Sequence, residues 1–222
     1  RAIQNILTSD LTADARRTLY FPAGTYKITG DEVKLYPYIT ILGDGAEQTI
    51  IKQTDSSQDY VARTVDSGGN TGANIGTGSN TQPKHIDING VTFEASGTNS
   101  GVLLDRAQHV RFTDCMFKST FAQGDGVGSG YKGVDAESGG SFTTSHVTFN
   151  HCTFTSINYA FKSDFDVENI NFQNCSFDIL HKGINLGQTT DGSTAGQQTG
   201  PRYVRAIGCQ FDNIDNEAVH IY

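Results

Sequence analysis

The chain has 222 residues, 36% of them apolar and 10% aromatic, which suits one domain with a real core and leaves little for a second. Net charge is −8, the 16 Lys and Arg form no run, and no apolar stretch nears the roughly eighteen residues of a membrane span. Nucleic acid and a membrane-spanning role are therefore set aside, while a neutral or hydrated polymer such as a polysaccharide stays open.

Residues 2–7 and 12–17 are the only segments of modest helical character, and 1–17 are expected to cap the structure or lead into it. Leu19 and Phe21 then alternate, a Pro22-Ala23-Gly24 turn follows, and Tyr26 and Ile28 alternate again. YITILGDGAEQTIIKQ repeats this around Gly43-Asp44-Gly45. These two stretches look like opening coils of a solenoid that occupies 18–222.

From His85 onward one unit recurs five times: HIDINGVTF, HVRFTDCMF, HVTFNHCTF, ENINFQNCSF and YVRAIGCQF. Phe154 and Phe177, at matching places in adjoining copies, are 23 residues apart. Each copy reads as two short strands joined by a corner, because apolar residues alternate, pause for two positions and alternate again. Before the second strand stands Gly90, Asp114, His151, Asn174 or Gly208, residue types that tolerate positive φ. A third strand follows as a small residue and an apolar one: Gly101-Val102, Gly133-Val134, Ala160-Phe161, Gly183-Ile184 and Ala218-Val219. Three inward stripes per two dozen residues describe an all-β, single-stranded, right-handed parallel β-helix. Its coils share a core about 4.8 Å apart, with Phe on Phe and Cys on Cys. A β-sandwich would not need the same residue type at the same place in every turn.

The four Cys hold one inward position in their units, so free stacked thiols are expected rather than bridges. No CxxC or paired-His spacing appears, and neither metal nor cofactor is expected. His85, His109 and His146 precede the first strand of their units and His151 is a corner residue, positions that the repeat itself explains.

Three loops, 66–83, 119–132 and 187–201, break the period. Insertions into a solenoid go outward and can wall a groove, or instead serve subunit contacts. Chemistry is expected on the outward face of the third strand. One column there is Leu103, Asp135, Lys162, Asn185 and His220, and the next is Asp105, Glu137, Asp164, Gly187 and Tyr222. Neighbours lie about one strand spacing apart, which brackets the carboxylate separations of retaining and inverting glycosidases. Asp105, Glu137 and Asp164 are the candidate catalytic carboxylates. Crowding is expected to raise at least one pKa, with Lys162 limiting the shift. Asp135, Lys162, Tyr131, Asn185 and His220 are candidate substrate contacts. The bland alternative is an ordinary solvated polar face.

FPAGTYKI followed by ITILGDGAEQTII resembles the opening of the pectate-lyase-like right-handed β-helix superfamily, and VTFNHCTF and INFQNCSF resemble its coil repeats. The resemblance covers roughly 18–222. The Asn-Thr-Asp, Asp-Asp, Gly-His-Gly and Arg-Ile-Lys signatures of polygalacturonases are absent, and the calcium-binding and Arg-containing motifs of pectate lyases are not identifiable. Among superfamily members the chain is most similar to bacteriophage tailspike and tail-fibre β-helices. That likeness implies binding and hydrolysis of a bacterial surface polysaccharide, a trimer, and other virion tail proteins as partners. A non-enzymatic adhesion module of a tail or baseplate, and a secreted polysaccharide lyase or epimerase, are the alternatives. The chain begins with Arg1 and ends inside a third strand, so it is expected to be processed or part of something longer, or to be covered there by a neighbouring subunit.

Overall fold

A computed structural model describes residues 16–96, 99–119, 132–139, 142–163, 167–187 and 201–221. The expected cap lies outside these residues apart from Arg16 and Arg17. Seven coils follow one another. The first is β1 (Arg17–Phe21), β2 (Gly24–Ile28) and β3 (Val33–Leu35); the second is β4 (Ile39–Gly43), β5 (Thr49–Gln53) and β6 (Tyr60–Thr64). The third is β7 (Lys84–Asn89), β8 (Thr92–Glu94) and β9 (Ser100–Asp105), and the fourth is β10 (Gln108–Thr113), β11 (Met116–Lys118) and β12 (Lys132–Glu137). In the last three coils the second and third strands run on as one: β13 (Thr144–Asn150) with β14 (Thr153–Ser163), β15 (Val167–Gln173) with β16 (Ser176–Leu186), and β17 (Arg202–Ile207) with β18 (Gln210–Ile221).

Every strand pairing is parallel and joins one coil to the next. The first strands form one sheet in the order β1-β4-β7-β10-β13-β15-β17. The second and third strands form a larger one, because β14, β16 and β18 bend from one face to the other at Ser156, Ile179 and Asn213, each with positive φ. The architecture is a parallel β-helix, as the repeat requires.

Like residues do stack. Phe93, Phe117, Phe154, Phe177 and Phe211 form one file with centroid separations of 5.7, 4.8, 4.9 and 4.5 Å. Phe112, Phe149 and Phe172 form a second file at 5.1 and 4.8 Å. Edge-on contacts between the files fill the space that the sheets enclose, an arrangement aromatic quadrupoles favour. All four Cys are free thiols. Cys115, Cys152 and Cys175 donate across to the carbonyls of Ile88, Phe112 and Phe149, one coil before. Hydrogen bonding between neighbouring thiols and burial push Cys152 and Cys175 well above the usual thiol range.

The corner residues Gly90, Asp114, His151, Asn174 and Gly208 all have φ between 49° and 66°. At Gly90 a Cβ would also lie 2.9 Å from the Gly43 carbonyl, so neither conformation nor space welcomes a side chain. A second left-handed column, not anticipated from the sequence, opens the first strands: Tyr38, His85, His109, His146, Asn169 and Tyr203, with φ from 55° to 63°.

Candidate functional site

On the third face the first outward column pairs coil by coil, and the first step of the second column is in register too. Leu103 pairs with Asp135, Asp135 with Lys162, Lys162 with Asn185, and Asn185 with His220. In the next column Glu137 sits directly beside Asp105. Asp164 and Tyr131 lie outside the described residues, as do most of the 119–132 and 187–201 loops. Asp105, Glu137 and Asp135 are brought together; Asn185 and His220 lie two and three coils further on, and His220 binds Glu217 instead.

The expectation of a solvated face needs correction. Asp105 is 3% exposed, Asp135 1% and Asn185 4%, although all three point away from the core. The cover comes from residues that no periodicity marks. The 66–83 loop folds down over β9, organised by the buried Asp66 carboxylate. Its Oδ1 accepts the Gly68 and Asn70 amides, both at 2.9 Å, and its Oδ2 accepts the Gly76 amide at 3.0 Å. Gly72 of this loop donates its amide to Asp105 Oδ2 at 2.9 Å, while Arg106 Nη1 binds Asp105 Oδ1 at 3.0 Å and Arg106 Nε reaches the Gly139 carbonyl at 2.9 Å. Asp135 Oδ2 accepts the Tyr60 hydroxyl at 2.8 Å and is ion-paired with Lys132. Asp135 Oδ1 is buried with no hydrogen-bond partner among the described residues.

Glu137 differs from both neighbours, since it is only half-buried and no hydrogen bond to its carboxyl is found among the described residues. Burial, then the charges of Asp135 and Asp105, push its carboxyl above the usual carboxylate range, against the pull of Lys132 and Arg63. Those two cations, rather than Lys162, are the ones that restrain it. Asp105 is raised as well, by burial, with Arg106 opposing. The result is a half-open acid, raised by burial and by its acidic neighbours, beside two carboxyl groups held by structural partners. This is the polarity of a general acid with an electrostatic background. Tyr60, Arg63, Lys132 and Arg106 complete the group and were not singled out in the sequence, since they come from β6, from β12 and from the corner after β9 and share no position in the repeat. Among the described residues no three His, Cys, Asp or Glu converge where a metal ion would sit.

A family described as rhamnogalacturonase A/epimerase, pectate lyase-like, matches residues 1–199. The chain belongs to that family. No curated protein matches it. Among solved structures, this pectate lyase-like chain is similar to a protein titled Geobacillus virus E2 ORF18. Identity is 18% and the TM-score 0.58, over 95% of this chain and 38% of that one. The likeness shows a shared fold, and the chain spans well under half the length of that protein. Among the described residues no helix is long and apolar enough to cross a membrane.

Proposed function

We propose that this chain is the glycan-engaging body of a viral tail protein, and that it hydrolyses a bacterial surface polysaccharide with Glu137 as the proton donor. The observation that carries the reading is the half-buried Glu137 directly beside Asp105 and near Asp135, with its carboxyl raised by burial and by their charges. Glu137 gives its proton to the leaving glycosidic oxygen as the bond to the anomeric carbon breaks, and water supplies the hydroxyl that replaces it. Asp164, next in the same column, is the base or nucleophile on this reading. Asp105 acts as a positioning residue, because Arg106 and the Gly72 amide occupy its carboxylate. Residues 1–17 cap the first coil, 18–222 form the β-helix, and assembly is trimeric.

The test is release of reducing ends from host capsule or lipopolysaccharide by wild type, Glu137→Gln and Asp164→Asn. Loss of at least about a hundredfold in both variants supports the assignment. Equal activity in all three removes these residues from the mechanism. Appearance of unsaturated product would move the chemistry to elimination.

One observation favours a second reading. Asp105 and Asp135 are so well covered that they serve the fold whether or not sugar is cleaved. A non-enzymatic adhesion module would bind the same glycan with no turnover in wild type.

A further inference from the structure

A second groove lies on another face of the coil, along the outward side of the first sheet. Tyr38, His85, His109 and His146 stack ring on ring along its edge, with centroids 5.4, 4.9 and 4.7 Å apart and interplanar angles of 22°, 6° and 28°. Left-handed backbone at each position turns these side chains out of the strand plane at the corner, so each coil adds one ring. In such a pile the faces cover one another, and what remains open is a row of ring edges. The groove beside them encloses about 680 Å³. Its floor is Thr40, Asp87, Arg111, Thr148 and Asn171, consecutive members of one column.

The charge of this face is opposite to that of the chain. Arg16 lines the groove and Lys84 lies over the Tyr38 ring at 5.5 Å. Arg111 is matched to Asp87 at 3.0 Å, and at the far end Arg202 is matched to Glu168 at 3.5 Å. Arg205 extends the floor column beyond Asn171. A hydrogen-bonding trough with an imidazole in each of three successive coils, and with Arg16, Lys84 and Arg205 in addition to the two matched pairs, thus runs along a protein whose net charge is −8.

We infer that this trough binds an extended acidic polysaccharide, one carboxylated sugar per coil. The hydrophilic floor suits hydroxyls, the cations suit carboxylates, and an extended pyranose chain advances by about one strand spacing per residue. The site is separate from Glu137, and its test reads binding rather than turnover, so it stands or falls independently of the hydrolase reading.

A pH dependence follows. Burial and the neighbouring His146, His85 and Lys84 hold the His109 imidazole below its ordinary value in the unliganded protein. The groups that face the stack are Lys84 and Asp87 on β7, Arg111 on β10, Ser145 on β13, Asn169 and Glu168 on β15, and Arg16 before β1. Ser145 Oγ lies 3.2 Å from His146 Nδ1, and Asn169 Nδ2 lies 3.4 Å from His146 Nε2. A row of carboxylates laid against the edges favours imidazolium, so binding takes up protons and tightens as pH falls.

The experiment is calorimetric titration of the intact chain with short alginate oligomers at about pH 5.5 and about pH 7.5, in buffers of different ionisation heat. We expect net proton uptake and affinity at least about tenfold higher at the lower pH, the change that one proton per pH unit produces. His109→Asn with His146→Asn should lower affinity at least about tenfold at about pH 5.5 and cut the proton uptake to what His85 alone supplies. Asparagine already occupies the equivalent place in the next coil at Asn169, so the fold is kept. Equal binding by the double variant, equal binding of carboxyl-reduced alginate or of polyphosphate, or no binding by wild type at the lower pH would each overturn the inference.

Discussion

Replacing Lys132 by Met isolates the buried charge beneath the candidate site. The Asp135 side chain is 1% exposed and Lys132 14% exposed. Asp135 Oδ2 holds Lys132 and the Tyr60 hydroxyl, while Oδ1 has no partner among the described residues. Without Lys132 an ionised carboxylate is left in a dry setting with one neutral donor. Stranding one member of a buried pair costs about 3–5 kcal/mol, a large part of the roughly 5–15 kcal/mol that holds a domain together. Asp135→Asn alone should cost less, about 1–2 kcal/mol, because the Lys132 stem can swing its ammonium toward water. Lys132→Met with Asp135→Asn removes both charges and should recover most of the Lys132→Met loss, so the double variant should be clearly more stable than the two single costs summed. Urea unfolding of the four proteins, followed by circular dichroism, measures it. Additivity within about 0.5 kcal/mol would refute the idea that the pair is buried and mutually dependent.

Four further outcomes follow from the same geometry. Burial alone would raise Glu94, but Lys52 at 2.5 Å and Lys118 at 2.9 Å hold it below its ordinary value of 4.5. Its contribution is therefore present above that value and lost as pH falls through the lower folded one, so Glu94→Gln should destabilise at neutral pH and become silent in acid. Glu137 has the opposite sign: its raised carboxyl weakens the fold as pH rises through the folded value, and Glu137→Gln should leave neutral-pH stability unchanged or higher while activity falls. Phe154→Ala, in the middle of its file, should cost about 3–5 kcal/mol in urea unfolding, and Phe211→Ala, in the last described coil and only partly buried, about half as much. Under native conditions a thiol reagent should modify Cys209 first, with Cys115, Cys152 and Cys175 reacting only on unfolding.

Most of the fold is written in residue spacing, because a parallel coil repeats its inward stripe at fixed intervals and nothing else needs the same side chain so often. Asp114, His151 and Asn174 announce their corners for the same reason: only a few residue types sit comfortably at positive φ. Spacing also placed Asp105 beside Glu137 and Asp135 beside Lys162. It could not show that Asp105 and Asp135 are covered, since Gly72, Asp66 and Tyr60 come from an aperiodic loop and from an earlier coil. Nor does alternation along a strand report what lies on top of it. The imidazole pile is illegible in the sequence for a different reason. His85, His109 and His146 recur with the repeat, and recurrence says that residues align without saying that their rings touch.

Because each turn meets its neighbours through identical partners, the molecule has something like a unit cell. Removing residues 152–174 would join one corner directly to its counterpart one turn later: Phe117 would meet Phe177 and Cys115 would lie beside Cys175, while Phe149 would meet Ala206 in place of Phe172. Such an excision should give a protein shorter by one strand spacing, about 4.8 Å, although it also takes Lys162 and Asp164 out of the candidate site. Length along the axis is then a dimension that can change by whole steps while the stacking of the remaining coils stays put.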